Sequence, residues 1–517
     1  MKTDLTQLVS GVTGPGRPGL AIGLYRDGRL IDHAEAGEAS IEFGVPVDAD
    51  TRFEIASMSK QFTAAAVLLL CRDGKLSLDD DVRRHLPELS LAVPVTVRQC
   101  LEHTGGLREW LSSADMAGVS MTRITQDQTL AFVAGFRELN FAPGDDFSYS
   151  NTGYVLAASL VQRITGQTLG AFAAARIFEP LGMTRTLFRE DSRAVIPQFA
   201  YGYMSAGEEI VRADTEECAV GDGGIATSLA DLGPWFGFLG DGRVLGVDIR
   251  DGLLQRGVLN DGTAHTYARG IYHVDIAGRP AFGHAGGAMG YRTQLLYVPG
   301  EDLGVAVLTN TSAYDPVALS AQALEQALGA PAPEPVEFID DADAAAVLAG
   351  HWIDRSTEFT IAIEEQSGRL RSSGLLLEGE LALAGDGGWR GLGDLAPLRL
   401  DVVGDTLEAV SPLRPGRGSV FERCAAPDAS ATPPAGVYRS PELGTYAVIG
   451  DDGALAIGLH STGQLEPAPD GAFSAAGFTV RADGDDILVT SWGARRVRFE
   501  RQPDGEGPRG IPAGLTA

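Results

Sequence analysis

A long apolar run, Phe62-Thr63-Ala64-Ala65-Ala66-Val67-Leu68-Leu69-Leu70, reads as a helix that starts near Ser57. A second helical pattern, Val155-Leu156-Ala157-Ala158-Ser159-Leu160-Val161, follows a turn signal at Pro143-Gly144-Asp145-Asp146. Strand patterns stand at both ends of this helical region. The first is Gly19-Leu20-Ala21-Ile22-Gly23-Leu24-Tyr25-Arg26, closed by an Asp27-Gly28 turn. Later come Gln294-Leu295-Leu296-Tyr297-Val298, a turn at Pro299-Gly300, and Gly304-Val305-Ala306-Val307-Leu308-Thr309-Asn310. Helices enclosed between early and late strands predict an α+β domain, one antiparallel sheet with helices on its faces.

The pattern changes after a proline-rich linker, Ala330-Pro331-Ala332-Pro333-Glu334-Pro335. Short alternating segments separated by Gly and Asp-Gly turns then predict an all-β tail. The tail repeats itself. Ala349-Gly350-His351-Trp352 corresponds to Ala435-Gly436-Val437-Tyr438, and Val420-Phe421-Glu422-Arg423 to Arg498-Phe499-Glu500-Arg501. Two small antiparallel β-barrels of roughly 75–90 residues each are expected. The predicted division is 1–332, 336–426 and 434–510. The barrels would serve packing, substrate restriction or homodimer formation.

Composition narrows the function. The chain has 517 residues, 44% of them apolar, and a formal net charge of −28. Such an acidic surface argues against nucleic acid or an anionic membrane as partner. The N-terminal stretch Met1–Gln7 has no apolar core of a signal peptide, and no apolar run reaches membrane-spanning length. A soluble, cytoplasmic protein is expected. Cys71, Cys100, Cys218 and Cys424 are scattered without metal-ligand spacing. Cys71 and Cys100 lie in apolar patterns, as buried thiols do. No cofactor and no metal are expected.

Three segments carry candidate chemistry. In Ser57-Met58-Ser59-Lys60 a helical turn puts hydroxyl and ammonium on one face, at a helix N-terminus that favours developing negative charge. A lysine so placed activates a serine without a histidine; a capped surface helix gives the same spacing. Tyr149 and Asn151, in Ser148-Tyr149-Ser150-Asn151, lie in a loop that runs into a helix. A phenol near a lysine can act as a base, and an amide can hold a substrate carbonyl. His284 stands in Gly283-His284-Ala285-Gly286-Gly287, just before a strand pattern. Glycines there let a substrate approach the backbone. Asp222, beside Gly223-Gly224, is a candidate amine contact, with a loop-capping carboxylate as the alternative.

Ser-x-x-Lys, Tyr-x-Asn and His-x-Gly in this order resemble the penicillin-recognising serine hydrolases. The branch is that of class C β-lactamases and D-alanyl-D-alanine carboxypeptidases. The element Leu101-Glu102-His103-Thr104-Gly105-Gly106-Leu107 is similar to that family's His-Thr-Ser-Gly-Leu, and the likeness covers about residues 15–330. The whole chain resembles the D-aminopeptidases, which add two β-barrels. The resemblance implies an acyl-enzyme on Ser57, with Lys60 and Tyr149 sharing the base role. It also implies that Asn151 positions the substrate amide and that His284 stands in place of a Lys-Thr-Gly lysine. Gly286 and Gly287 would bind substrate, the Gly287 N–H joining that of Ser57 as the oxyanion hole. The implied substrates are small peptides or amino-acid amides with a D-residue. The same machinery serves an esterase or a peptide acyl-transferase or cyclase. A non-catalytic binding protein would have lost Ser57, Lys60 or Tyr149. The D-aminopeptidases reach their active site with a long loop from the last barrel, and Ala472–Asp486 contains no such insertion.

Overall fold

The computed structural model describes residues 4–331 and 336–503, apart from residue 208 and short segments at 367–368, 375–376, 393–397, 411–417, 459–460 and 476. The expected linker therefore falls, from Ala332 on, outside the described residues, as do residues 504–510 of the last expected unit.

The six strands of the main sheet are β1 (Leu20–Arg26), β2 (Arg29–Ala36), β3 (Tyr272–Ile276), β4 (Arg279–Ala288), β5 (Tyr291–Val298) and β6 (Leu303–Thr309). All neighbours are antiparallel, in the order β3-β4-β5-β6-β1-β2. Leu20 faces Thr309 and Tyr25 faces Gly304, so the earliest and latest strands lie side by side at the sheet centre. Asp27 and Gly28 both have positive φ, 49° and 70°. That is the two-residue hairpin turn whose twist matches the strands.

Strand alternation builds three layers. Ala21 and Tyr25 of β1 join the main core; Leu20, Ile22 and Leu24 point the other way. The second set packs with Leu5 and Val9 of the helix Leu5–Ser10 and with Leu319, Ala323 and Leu324 of the helix Pro316–Ala327. On the opposite face lies α1 (Lys60–Arg72), buried without a break from Lys60 to Leu70. A helix that is buried on every side cannot be amphipathic, which is why its sequence is a run and not a stripe. Two further helices border the cleft, α2 (Trp110–Ala117) and α3 (Thr152–Thr165). Cys100 is buried as expected; Cys71, near the end of α1, is only half-buried.

The tail is two barrels. In the first, Gly379–Ala384 pairs with both Arg369–Gly374 and Trp389–Gly391, which closes the sheet. In the second, the end strands Ser461–Gln464 and Glu466–Ala468 are not paired, so it is nearly closed. The sequence repeat has a structural counterpart. Trp352 pairs with Arg423 in one barrel, and Tyr438 with Arg501 in the other. In each the guanidinium lies over the ring, at 4.2 Å and 5.6 Å from its centroid. The first barrel has its own core around Trp352. The core of the second is continuous with that of the catalytic domain. Among the described residues no helix is long and apolar enough to cross a membrane.

Gly153, in the first turn of α3, packs against the carbonyl of Cys100, and a Cβ there would overlap it. Gly153→Ala is expected to lower stability by about 1–3 kcal/mol, as overpacking does. A urea midpoint unchanged from the parent protein would contradict this packing.

Candidate active site

Ser57 does not begin an α-helix. It lies on a 3-10 turn, Ala56–Ser59, that precedes α1. The reason is Ala56, whose φ of 48° is foreign to a right-handed helix. Several contacts hold this strained residue. One oxygen of Glu54 accepts the N–H groups of Ala56 (3.3 Å) and Gly224 (2.9 Å). The N–H of Ile55 donates to the Ile225 carbonyl at 2.9 Å, and the Ile55 carbonyl accepts the Thr293 hydroxyl at 3.0 Å. Gly286 lies so close to that carbonyl that a Cβ would overlap it. The turn that carries Ser57 is thus fixed from both sides, with Ser57 half-buried.

Lys60 is fully buried, and its Nζ donates to three oxygens: Ser57 Oγ at 2.9 Å, Asn151 Oδ1 at 2.7 Å and the Asp222 carbonyl at 2.6 Å. Burial lowers its pKa to about 8, against the pull of the Asp222 and Glu109 carboxylates. Asn151 reaches it from the N-terminus of α3. Tyr149 is half-buried, with its hydroxyl enclosed. Its ring centroid is 5.0 Å from Lys60 Nζ, and its hydroxyl, beside that of Ser57, makes no well-formed hydrogen bond. Burial pushes its pKa far above the ordinary phenol value.

His284 lies on β4. Its Nδ1 is 2.5 Å from the Ala285 carbonyl, so that nitrogen carries the proton; Nε2 is 2.9 Å from the Tyr267 hydroxyl, which donates to it. Burial, and then Lys60, lower its pKa to about 3. Strand β3 pairs with β4 only as far as Gly283. From His284 onward β4 has one open edge, and the exposed Gly287 is on this stretch.

A family model described as Beta-lactamase matches residues 5–329. The chain belongs to the beta-lactamase family. It is a serine hydrolase of that fold, with a D-aminopeptidase of Gluconobacter oxydans (strain 621H) 31% identical over 443 residues, 83% of this chain and 80% of the relative. A D-aminopeptidase of Brucella anthropi (strain ATCC 49188) is 27% identical over 458 residues, 85% and 82% of the two chains. The solved D-amino acid amidase of Ochrobactrum anthropi SV3 superposes with a TM-score of 0.54 at 24% identity, over 63% of this chain and 96% of that one. SurE superposes at 0.56 and 24%, over 81% and 96%. These two likenesses concern the fold.

In this serine hydrolase the cleft has an acidic wall that the motifs do not announce. Asp222 Oδ2 accepts the Trp110 indole N–H at 2.9 Å, and burial raises its pKa. Glu109 is wholly buried. Its Oε2 caps α2 by accepting the Ser112 N–H at 2.8 Å, while Oε1, with the Asn151 side chain nearby, makes no well-formed hydrogen bond among the described residues. Burial brings Glu109 up to about 7, and brings Glu217, which faces Asp222 and Glu109, up to about 8. Glu109 and Glu217 escaped the sequence reading. The one signal for Glu109 was its place just after the His103–Leu107 element, in the run Arg108-Glu109-Trp110.

The second barrel of the hydrolase touches this wall. The Glu109 N–H donates to the Gly493 carbonyl at 2.8 Å, and Asn140 Nδ2 donates to the same oxygen at 2.9 Å. Arg108 Nη1 donates to the Arg495 carbonyl at 2.6 Å, and its Nε is 3.3 Å from Glu442. The expected absence of a long reaching loop is thus half the story. A six-residue loop between Asp486–Thr490 and Val497–Arg501 makes the contact instead.

A Cβ on Gly493 would overlap the Glu109 Cβ. Gly493→Val should weaken this docking by about 1–3 kcal/mol. Limited proteolysis of the exposed connector between the barrels should then run faster than in the parent protein. An equal cleavage rate would mean that the contact is slack.

Proposed function

We propose that this hydrolase cleaves amides or short peptides that present a free amine on a D-residue, as the names of its D-aminopeptidase relatives suggest. The observation that carries the reading is the acidic wall: Asp222 and Glu109, both acting on Lys60, and Glu217 beside those two carboxylates. A substrate ammonium supplies the cation that these carboxylates lack. Its arrival favours their charged forms and offsets their burial.

Lys60 is the general base. At a pKa of about 8 a useful fraction is neutral near neutral pH, and the neutral amine can take the Ser57 proton at 2.9 Å. Ser57 Oγ attacks the substrate carbonyl and expels the amine, leaving an acyl-enzyme that water hydrolyses. Tyr149 does not serve as a phenolate. Its raised pKa keeps it neutral, so it relays a proton to the departing nitrogen. The base role expected to be shared falls to Lys60. Asn151 keeps the lysine aimed and offers its amide to substrate. His284 stays neutral and fixes β4, whose open edge with Gly286 and Gly287 receives the substrate backbone. The oxyanion is held by N–H groups of Ser57 and Gly287, on the order of 3 kcal/mol per donor.

The cytoplasm is the proposed compartment. The barrels restrict the substrate and serve no chemical step; homodimer formation is their second candidate use. The three folding units are proposed to divide at 332–336 and 426–434.

Labelling of Ser57 by a fluorophosphonate, which has no ionisable group, isolates the base. The folded pKa of Lys60 lies below the ordinary lysine value, and the neutral form is the active one. The labelling rate should therefore rise with pH through about 8 and level off above it. A rate independent of pH between 6 and 10 in this protein would remove Lys60 from the base role.

Glu109→Gln tests the amine. It removes the charge and keeps the helix cap. For D-alanine p-nitroanilide KM should rise by about tenfold or more, the worth of one charge-assisted contact. For the N-acetylated substrate it should not change. An equal effect on both substrates would show that the wall does not read the amine.

A further inference from the structure

A second cavity lies behind one wall of the cleft. Its volume is about 710 Å³, within the range of small-ligand sites, roughly 300–1,000 Å³. None of the proposed catalytic residues lines it. The partition is the segment before Cys218: Thr215 and Glu216 face this cavity, and the next residue, Glu217, joins the carboxylates of the cleft.

Two features set the cavity apart. In a chain with a net charge of −28, four guanidinium groups line it: Arg123, Arg189, Arg193 and Arg212. Three carboxylates share the lining, and two of these are already engaged. Asp214 is paired with Arg212 and accepts the Gly202 N–H and the Tyr291 hydroxyl; Asp48 accepts the Thr51 hydroxyl. Of the guanidinium groups, Arg193 is paired with Asp191, Arg212 also with Glu42, and Arg189 with Glu54; Arg123 alone of the four makes no ion pair and no side-chain hydrogen bond among the described residues. At the inner wall, among the described residues, Arg189 Nε (3.9 Å from Glu54 Oε2) and Thr215 Oγ1 are buried without a hydrogen-bond partner, as buried polar atoms rarely are. The second feature is the apolar rim. Val195 is 94% exposed and Phe43 74%, side chains whose contact with water a ligand would relieve.

We infer that this cavity binds a small organic monocarboxylate with an apolar or aromatic body. Guanidinium groups offer a planar fork that matches a carboxylate. Phe43, Val195 and Phe199 take the apolar part. A bare inorganic anion would leave those side chains exposed, and a neutral aromatic would leave Arg123 without a counter-charge. This site is separate from the amine-reading wall, and its test does not depend on turnover.

The experiment is calorimetric titration of the full-length Ser57→Ala protein with phenylacetate, with 2-phenylethanol and inorganic phosphate as controls. Phenylacetate should bind and the two controls should not. Arg123→Ala should weaken binding about tenfold, the loss of one charge-assisted contact. Val195→Asp, a change at a nearly fully exposed position that leaves the fold intact, should weaken it as well by placing a like charge at the rim. Three results would overturn the inference: no phenylacetate binding up to its solubility limit, phosphate binding as tight as phenylacetate, or an affinity unchanged in both variants.

Discussion

A buried ammonium is the constraint around which this catalytic domain is arranged. Lys60 has no exposed surface, and removing a lysine from water costs several kcal/mol unless partners replace the lost hydration. Three different elements each bring one oxygen within 2.9 Å of its Nζ. The 3-10 turn supplies Ser57, the start of α3 supplies Asn151, and the loop before Gly223-Gly224 supplies the Asp222 carbonyl. None of these oxygens carries a full charge. The compensation is therefore partial, and the lysine is left at about 8, where it can exchange a proton. Stronger pairing would have made it a permanent cation. The carboxylates of Asp222 and Glu109 act through space, which moderates the shift without cancelling it.

The same logic explains the strained Ala56. The Ser57 hydroxyl meets Lys60 Nζ from a turn tighter than an α-helix, and the positive φ of Ala56 is its local cost, of order 1–3 kcal/mol. Glu54 and Ile225 hold the turn from one side, and Thr293 with its strand partner Gly286 closes on the Ile55 carbonyl from the other. The glycines of the His284 segment therefore have a packing role beside any role in substrate binding.

Much of this was readable from the chain. The unbroken apolar run gave away α1 because a helix buried all round has no polar face. Asp27-Gly28 marked its hairpin because few other pairs accept two positive φ values. The repeat around Trp352 and Tyr438 marked two barrels, since each needs the same aromatic and arginine where its first and last strands meet. Other features were not legible for definite reasons. Glu109 looks like any charged residue after a loop; only burial of one oxygen without a partner distinguishes it. The ionisation of Tyr149 and His284 depends on desolvation, which has no sequence signature. The Gly493 contact joins residues far apart in the chain, and a glycine in a strand-to-strand loop is read as a turn residue. Continuity of the second barrel's core with the catalytic domain could not be seen in a tail that repeats itself, because the repeat makes the two barrels look equivalent.

That docking has a consequence in time. The Gly493 turn belongs to the last-made part of the described chain, yet it satisfies the backbone N–H of Glu109, made far earlier. During synthesis the catalytic sheet is complete once β6 has emerged, since β6 is the partner of β1. The amine-facing wall is not. Until the second barrel has folded and docked, Glu109 lacks its backbone partner and the neighbouring Arg108 lacks the Arg495 carbonyl and Glu442. A half-made chain thus holds the Ser57–Lys60 pair already assembled beside an unfinished wall, and the order of residues delays that wall until the final domain closes on the first.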